Sequence, residues 1–282
     1  MRIMPKKMIN NIEINYELDG TGEEVLVMLN GIMMSTASWA AHVPFYTANG
    51  LSVLRVDFRD QGQSGRAEKP PYTIEQHVED LAELLNKLGL SPVHLHGISY
   101  GGQVALLFAL KYSKMVRSLI IANTVPRLTN YLRGIGEGWD EAARLKDGRA
   151  FFRLIAPSIY SNLFFESNRE FLKERENMLG DMLDPSWFDA YLRLSSSNSD
   201  FNVLERLPEI KAPTLFMAAD RDAVTPVEEM RAMRDRIAGS AFVMIPDSGH
   251  VSCYEKMDEY NLLILGFISL VRAKAKREQG DC

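Results

Sequence analysis

Two runs of the chain, EVLVML (residues 24–29) and LSVLRVDF (51–58), are apolar at neighbouring positions instead of every second one, and a helical stretch around Trp39 to Thr47 separates them. A strand with that pattern needs cover on both faces, which parallel pairing inside a helix-flanked sheet supplies. The pattern continues downstream. Residues 73–88 carry Ile74, Val78, Leu81, Leu84, Leu85 and Leu88 along one helical face, and Thr73 with Gln76 has the spacing of an N-terminal capping box. Pro92 then precedes the strand VHLH, a helix is expected over Ser99 to Tyr112, and VRSLIIAN (116–123) reads as the next strand. Alternation of this kind predicts a doubly wound α/β domain.

MINNIEINYEL (8–18) reads as two short strands turning at Asn10-Asn11, with Ile12, Ile14 and Tyr16 alternating against polar neighbours. From about Arg127 to Glu209 the pattern is helical, with Trp139, Phe151, Phe152, Phe164, Phe165, Trp187 and Phe188 spread through it. After Pro213 the strand–helix rhythm returns with TLFMAAD (214–220), a helix over Val227 to Ala238, AFVMIP (241–246) and a final helix. The expected organisation is one core domain, residues 1–126 and 210–282, interrupted by a helical insertion at 127–209. A chain of 282 residues is long enough to bury such a core. LLILGFISLV (262–271) is about half a membrane span, so a buried terminal helix is expected, and only the tail KAKREQGDC looks loosely held.

Where the strand VHLH meets its helix the chain reads Gly97-Ile98-Ser99-Tyr100-Gly101. A serine at such a junction gains nothing as a core residue. Glycines are needed on either side because side chains there would collide as strand and helix close together. The hydroxyl is then expected to project above the strand ends, beside the amide donors of the helix N-terminus. A serine N-cap in a glycine-rich turn would leave the same letters. What separates the two is a base and an orienting acid further along, since a serine hydroxyl is a weak nucleophile alone. MIPDSGH (244–250) places His250 in a loop after a strand, and LFMAADRDAVTP (215–226) ends a strand in a loop carrying Asp220 and Asp222. Both aspartates could equally serve as loop caps.

This set resembles the α/β-hydrolase fold family, in which a nucleophile elbow and the chain order Ser, Asp, His recur. The resemblance runs from about residue 8 to residue 272, with the insertion similar only in position and helical character. It implies a mostly parallel eight-stranded sheet with helices on both faces and a helical cap inserted after the sixth strand. The family's G-x-x-D-x-x-x-P pattern, aligned on Pro226, puts the acid at Asp222, with Ala219 in place of the usual glycine and Asp220 as the competitor. Ser99, Asp222 and His250 are thereby implied as catalytic residues. The backbone N–H groups of Tyr100 and Ile32 are implied as the oxyanion hole, with Gly31 letting the chain turn towards it. DFRDQGQSG (57–65) is similar to the family's D-x-R-G-x-G-x-S loop, with Asp60 in place of a glycine. It reads as a structural rim in which Asp57 and Arg59 pair with the backbone and each other. Asn30-Gly31, the size and the insertion together are similar to 3-oxoadipate enol-lactonases and related small carboxylesterases.

The implied reaction is hydrolysis of a carboxylic ester or lactone through an acyl-enzyme, an enol-lactone being the narrower case, with no metal or cofactor. The same triad would serve a carbon–carbon bond hydrolase, and a ligand-sensing signalling protein with a slow triad is the rival from another class. Ile32 stands where haloperoxidases of this fold commonly carry tryptophan, and Ser99 where dehalogenases and epoxide hydrolases carry aspartate; both argue against those activities. Met33, Met34, Trp139, Trp187 and Cys253 are the candidate substrate-pocket residues. His94 and His96 share a strand face without accompanying carboxylates or cysteines, which favours packing over a metal site. His42 and His77, on helical segments, are expected at the surface or rim. A net charge of −5 gives no general attraction to nucleic acid or anionic membranes. Cys253 and Cys282 make no disulfide framework, and the basic start MRIMPKKMINN leads into no apolar run of signal-peptide length. A cytoplasmic protein, monomeric or homodimeric, acting on a small molecule is the expectation.

Overall fold

A computed structural model of the chain describes residues 5–67 and 71–280. The antiparallel start is β1 (Lys6–Ile9) and β2 (Ile12–Asp19), turning at Asn10-Asn11 as the alternation predicts. Then follow β3 (Glu24–Leu29), α1 (Val43–Ala48), β4 (Leu51–Val56), α2 (Glu75–Leu88), β5 (Val93–Ile98), α3 (Tyr100–Lys111) and β6 (Val116–Ala122). Helices α4 (Asn130–Arg144), α5 (Gly148–Ile159), α6 (Asn162–Ser167), α7 (Arg169–Met182) and α8 (Pro185–Ser196) come next. The chain closes with β7 (Thr214–Ala219), α9 (Val227–Arg234), β8 (Ala241–Ile245), α10 (Ser252–Glu255) and α11 (Met257–Gln279).

Among the described residues the strands form one eight-stranded sheet in the order β1-β2-β4-β3-β5-β6-β7-β8. β2 pairs antiparallel with β1 and β4, and the remaining neighbours are parallel. Successive side chains of a strand point to opposite faces, and here both faces are covered. Leu26 and Met28 join Trp39, Tyr46, Tyr260 and Ile264 on the side of α1 and α11. Val25, Val27 and Leu29 join Val78, Leu85, Val104 and Phe108 on the side of α2 and α3. That two-sided cover is why the strand sequences are continuously apolar.

The chain lays β4 on one side of β3 and then crosses over to lay β5 on the other. Loops leaving the carboxyl ends of β3 and β5 therefore part in opposite directions and open a crevice, the place where open α/β sheets bind ligands. Over this edge, α4 to α8 share an apolar cluster of their own that includes Ala143, Phe151, Ile155, Phe188 and Tyr191 and touches Ile32 and Met33 of the loop after β3.

Several local expectations are corrected. Thr73 forms no capping box: the chain enters the α-conformation at Ile74, so the Thr73 carbonyl, not its hydroxyl, takes the Gln76 amide. Helix α9 stops at Arg234, tightening through the Arg236 amide onto the Met233 carbonyl before Gly239 turns left-handed. The terminal helix is buried along one stripe only, Tyr260, Asn261, Ile264 and Ile268, while Leu262 and Leu270 face outward. Nor does the tail hang loose as far as Gln279. Lys276 and Arg277 favour the helix's carboxyl end, and Gly280 in the left-handed region closes it. Asp281 and Cys282 lie outside the described residues. Among the described residues no helix is long and apolar enough to cross a membrane.

Candidate active site

Ser99 stands between β5 and α3 with φ 53° and ψ −121°, a backbone conformation that an L-residue adopts only under constraint. The constraint is visible. Its carbonyl accepts from the amides of Gly102 and Gln103 and from the Thr124 hydroxyl, and its own amide donates to Ala122. A Cβ on Gly97 would sit 2.2 Å from the Gly101 carbonyl oxygen, and one on Gly101 would sit 2.7 Å from those of Leu29 and Asn30. The two glycines thus let strand and helix meet closely enough to form the sharp turn.

His250 and Asp222 arrive on the loops after β8 and β7. His250 Nε2 lies 2.9 Å from Ser99 Oγ, and its Nδ1 lies 2.9 Å from Asp222 Oδ2. The His250 amide donates to the Ile159 carbonyl at the end of α5, so the histidine loop is braced by the helices above it. Asp222 is almost wholly buried, yet its carboxyl is held below the usual carboxylate range. Burial pushes it up, and the neighbouring His250 and the bonds from Thr225 outweigh that. Asp220, the competitor, turns to the Ser248 amide instead.

Sequence reading missed Asn123 and Thr225. The Asn123 side-chain amide and the Thr225 hydroxyl both donate to Asp222 Oδ2, at 2.9 and 2.6 Å. Asn123 also accepts from Ser252 at 2.7 Å, linking the acid to α10.

The loop after β3 is pinned from below. Gln61 Nε2 donates to the carbonyls of Gly31 and Ile32, and buried Asn30 donates to the Val56 carbonyl and Gln61 while accepting from Trp39. With its carbonyls held on that side, the loop keeps Gly31 over the serine: a Cβ there would come 3.7 Å from Ser99 Cβ. Among the described residues, the N–H groups of Ile32 and Tyr100 have no acceptor within the protein. Below this loop, Asp57 accepts from the Thr36 and Gln63 amides and from Asn15. Arg59 does not pair with Asp57 as expected; it reaches Asp80 on α2, because Asp57 is already enclosed by neutral donors. Asp60 occupies the left-handed φ of 64°, which suits the glycine it replaces, and binds Arg193 of α8 in a two-pronged ion pair.

Two cavities meet at Ser99 and Ile32. One of about 700 Å³ runs under α5, α7 and α8 past His250, and Met33, Met34, Trp139 and Trp187 are in its wall. The other, about 280 Å³, lies towards α4 and is more polar, with Gln103, Thr124, Asp140 and Asn198 in its wall. Cys253 lines neither. It belongs to α10 and is fully buried in the core, and burial pushes its thiol up to about 12, so it is a packing residue.

The other histidines are core residues. His94 bonds Ser118, while His96 donates from Nδ1 to the Ile120 carbonyl and accepts from Tyr260 at Nε2. His42 and His77 are buried, contrary to the surface expectation. His42 is held by Asn261 of α11, and His77 is enclosed by the rings of Phe58, Tyr72 and Tyr100.

A family model described as the alpha/beta hydrolase fold matches residues 24–257. The chain belongs to the α/β-hydrolase family. Among solved structures it is similar to MGS-M2, an α/β-hydrolase enzyme from a Medee basin deep-sea metagenome library, at 36% identity and TM-score 0.90 over 94% of this chain and 97% of that one. A thermophilic esterase from Thermogutta terrifontis is 28% identical with TM-score 0.81, covering 95% and 98% of the two chains. 3-Oxoadipate enol-lactonase 1 of Acinetobacter baylyi is 25% identical over 88% of this chain and 89% of that protein.

Proposed function

We propose that this α/β-hydrolase cleaves a carboxylic ester or lactone through an acyl-enzyme on Ser99, an enol-lactone being the narrower case. The observation that carries the reading is the continuous relay from Asp222 through His250 to a strained serine facing a cavity, with both links at 2.9 Å. Ser99 Oγ attacks the carbonyl carbon while His250 Nε2 takes its proton, and Asp222 holds the Nδ1–H side of the imidazole and stabilises its cationic form. The amides of Ile32 and Tyr100 donate hydrogen bonds to the carbonyl oxygen and stabilise the negative charge that develops on it. His250 then returns the proton to the departing alcohol oxygen, or to the ring oxygen of a lactone. Water attacks the acyl-serine with His250 as base, and the carboxylic acid leaves.

In this reading residues 1–126 and 210–282 are the catalytic core, and 127–209 form a cap whose aromatic underside shapes the substrate. The esterase and enol-lactonase relatives support the bond type, and a shared fold leaves the substrate free to differ from theirs. A panel of graded esters and lactones assayed with wild type and Ser99→Ala tests it. Turnover in the wild type that falls at least 1,000-fold in the folded variant is expected. Retained turnover in Ser99→Ala removes the assignment, and tight ligand binding with sub-stoichiometric turnover in the wild type favours a sensor.

A further inference from the structure

Among the described residues, a guanidinium of the larger cavity has no carboxylate counter-ion. Arg175, on α7, lines that cavity together with Ser99 and His250. Its Nε is buried and has no hydrogen-bond partner among the described residues. The guanidinium stands 5.2 Å from the ring centroid of Tyr254 and 5.9 Å from that of Phe171. The polar groups that act on it are the phenols of Tyr254 and Tyr160, and burial raises the pKa of both, so they stay neutral and leave its charge uncompensated.

The two buried arginines of the core are treated differently: Arg55 pairs with Glu17 and Asp19, and Arg59 with Asp80. Arg66, at the same cavity, also has a buried nitrogen without a hydrogen-bond partner among the described residues, but Asp184 acts on its charge. Of the two carboxylates flanking Arg175 in sequence, Glu174 is exposed to solvent and Glu176 pairs with Arg153 and Lys173. The cavity's own acids do not reach it either. Asp57 is enclosed by its amide donors, and Asp184 caps α8 through the Trp187 amide, with the charge of Arg66 acting on it. A guanidinium removed from water with only neutral phenols for partners is unfavourable, and an incoming anion would relieve that; its planar fork matches a carboxylate.

Resting on the ester or lactone hydrolase reading above, we infer that the substrate carries a free carboxylate, bound by Arg175 while the reacting carbonyl lies at Ser99. The cavity's apolar lining, which includes Phe151, Ile155, Met178 and Trp187, suits a hydrocarbon spacer. Arg175 is a specificity-determining binding residue in this account.

The test compares monomethyl with dimethyl esters of succinate, adipate and suberate in wild type, Arg175→Lys and Arg175→Met. Expected in the wild type is at least a ten-fold preference in kcat/KM for the hemi-ester at one chain length. In Arg175→Met that preference falls below two-fold, through KM more than kcat, and Arg175→Lys keeps part of it. Calorimetric titration of adipate into Ser99→Ala, and into the same variant carrying Arg175→Met, reads the anion site without turnover. Binding in the first and at least ten-fold weaker binding in the second is expected. Equal use of mono- and dimethyl esters at every length, with adipate binding indifferent to Arg175, overturns this inference and leaves the hydrolase reading standing. A wild type inactive on every ester overturns that reading instead, and the adipate titration then decides on Arg175 alone.

Discussion

Asn123, the amides of Val224 and Thr225, the Thr225 hydroxyl and His250 all donate to the one carboxylate of Asp222. A carboxylate so enclosed stays ionised and fixes the Nδ1–H tautomer of His250, leaving Nε2 to accept from Ser99. In Asp222→Asn the side chain keeps its size but loses that instruction. Its kcat on a short p-nitrophenyl ester is expected to fall about 1,000- to 10,000-fold with the fold retained; a loss under ten-fold would mean another acid serves His250. Ser99 was legible from a glycine-flanked strand–helix junction and His250 from its loop after a strand, while Asp222 was separated from Asp220 only by the family pattern aligned on Pro226. Asn123, Thr225, Asn30 and Gln61 were not: they are ordinary loop polar residues until strands far apart in the chain bring their partners near. His42 and His77 fail in the opposite sense. Helical periodicity gives each a position on its helix, but the groups that bury them come from Asn261 and from the rings around Phe58.

The strands and the helices that cover them were legible from hydrophobic patterning alone, since a sheet covered on both sides leaves little freedom in composition. Helix ends were less so. The Thr73 box has the right letters, yet the backbone enters the helix one residue later and leaves the hydroxyl without that role. The packing of α5 and α6 against the histidine loop left a clearer trace, a glycine. A Cβ on Gly249 would stand 2.4 Å from the Ser161 nitrogen and 2.8 Å from the Ile159 carbonyl oxygen that receives the His250 amide. Gly249→Ala is therefore expected to push His250 away from Ser99 while leaving the sheet intact. Steady-state kinetics should show kcat down by about 10- to 100-fold, the usual effect of misplacing a catalytic group by an ångström. A kcat within two-fold of wild type would show that the helices do not position the loop.

Taken over the whole fold, burying histidines makes stability depend on pH. Burial lowers His77 and His96 to about 3 and His94 to about 4, and lowers His42 as well. Above about pH 6.5 both folded and unfolded chains hold these rings neutral, and nothing is lost. As pH falls below that value the unfolded chain binds protons that the folded chain refuses until pH 3–4, so stability declines through this window. Each ring contributes about 1.4 kcal/mol per pH unit. In His77→Phe, whose ring fits among Phe58, Tyr72 and Tyr100, urea midpoints between pH 6 and 4.5 should fall with a slope shallower by about one proton; an unchanged slope would contradict the linkage. The convergence of three remote loops on one crevice is the claim on which the rest depends. It is tested most directly by peptide mass mapping after treatment with a fluorophosphonate in wild type and in His250→Ala. A single stoichiometric adduct on Ser99, formed at least 100-fold more slowly without the imidazole, is the expected result, and labelling that misses Ser99 or proceeds equally fast in both proteins would contradict it.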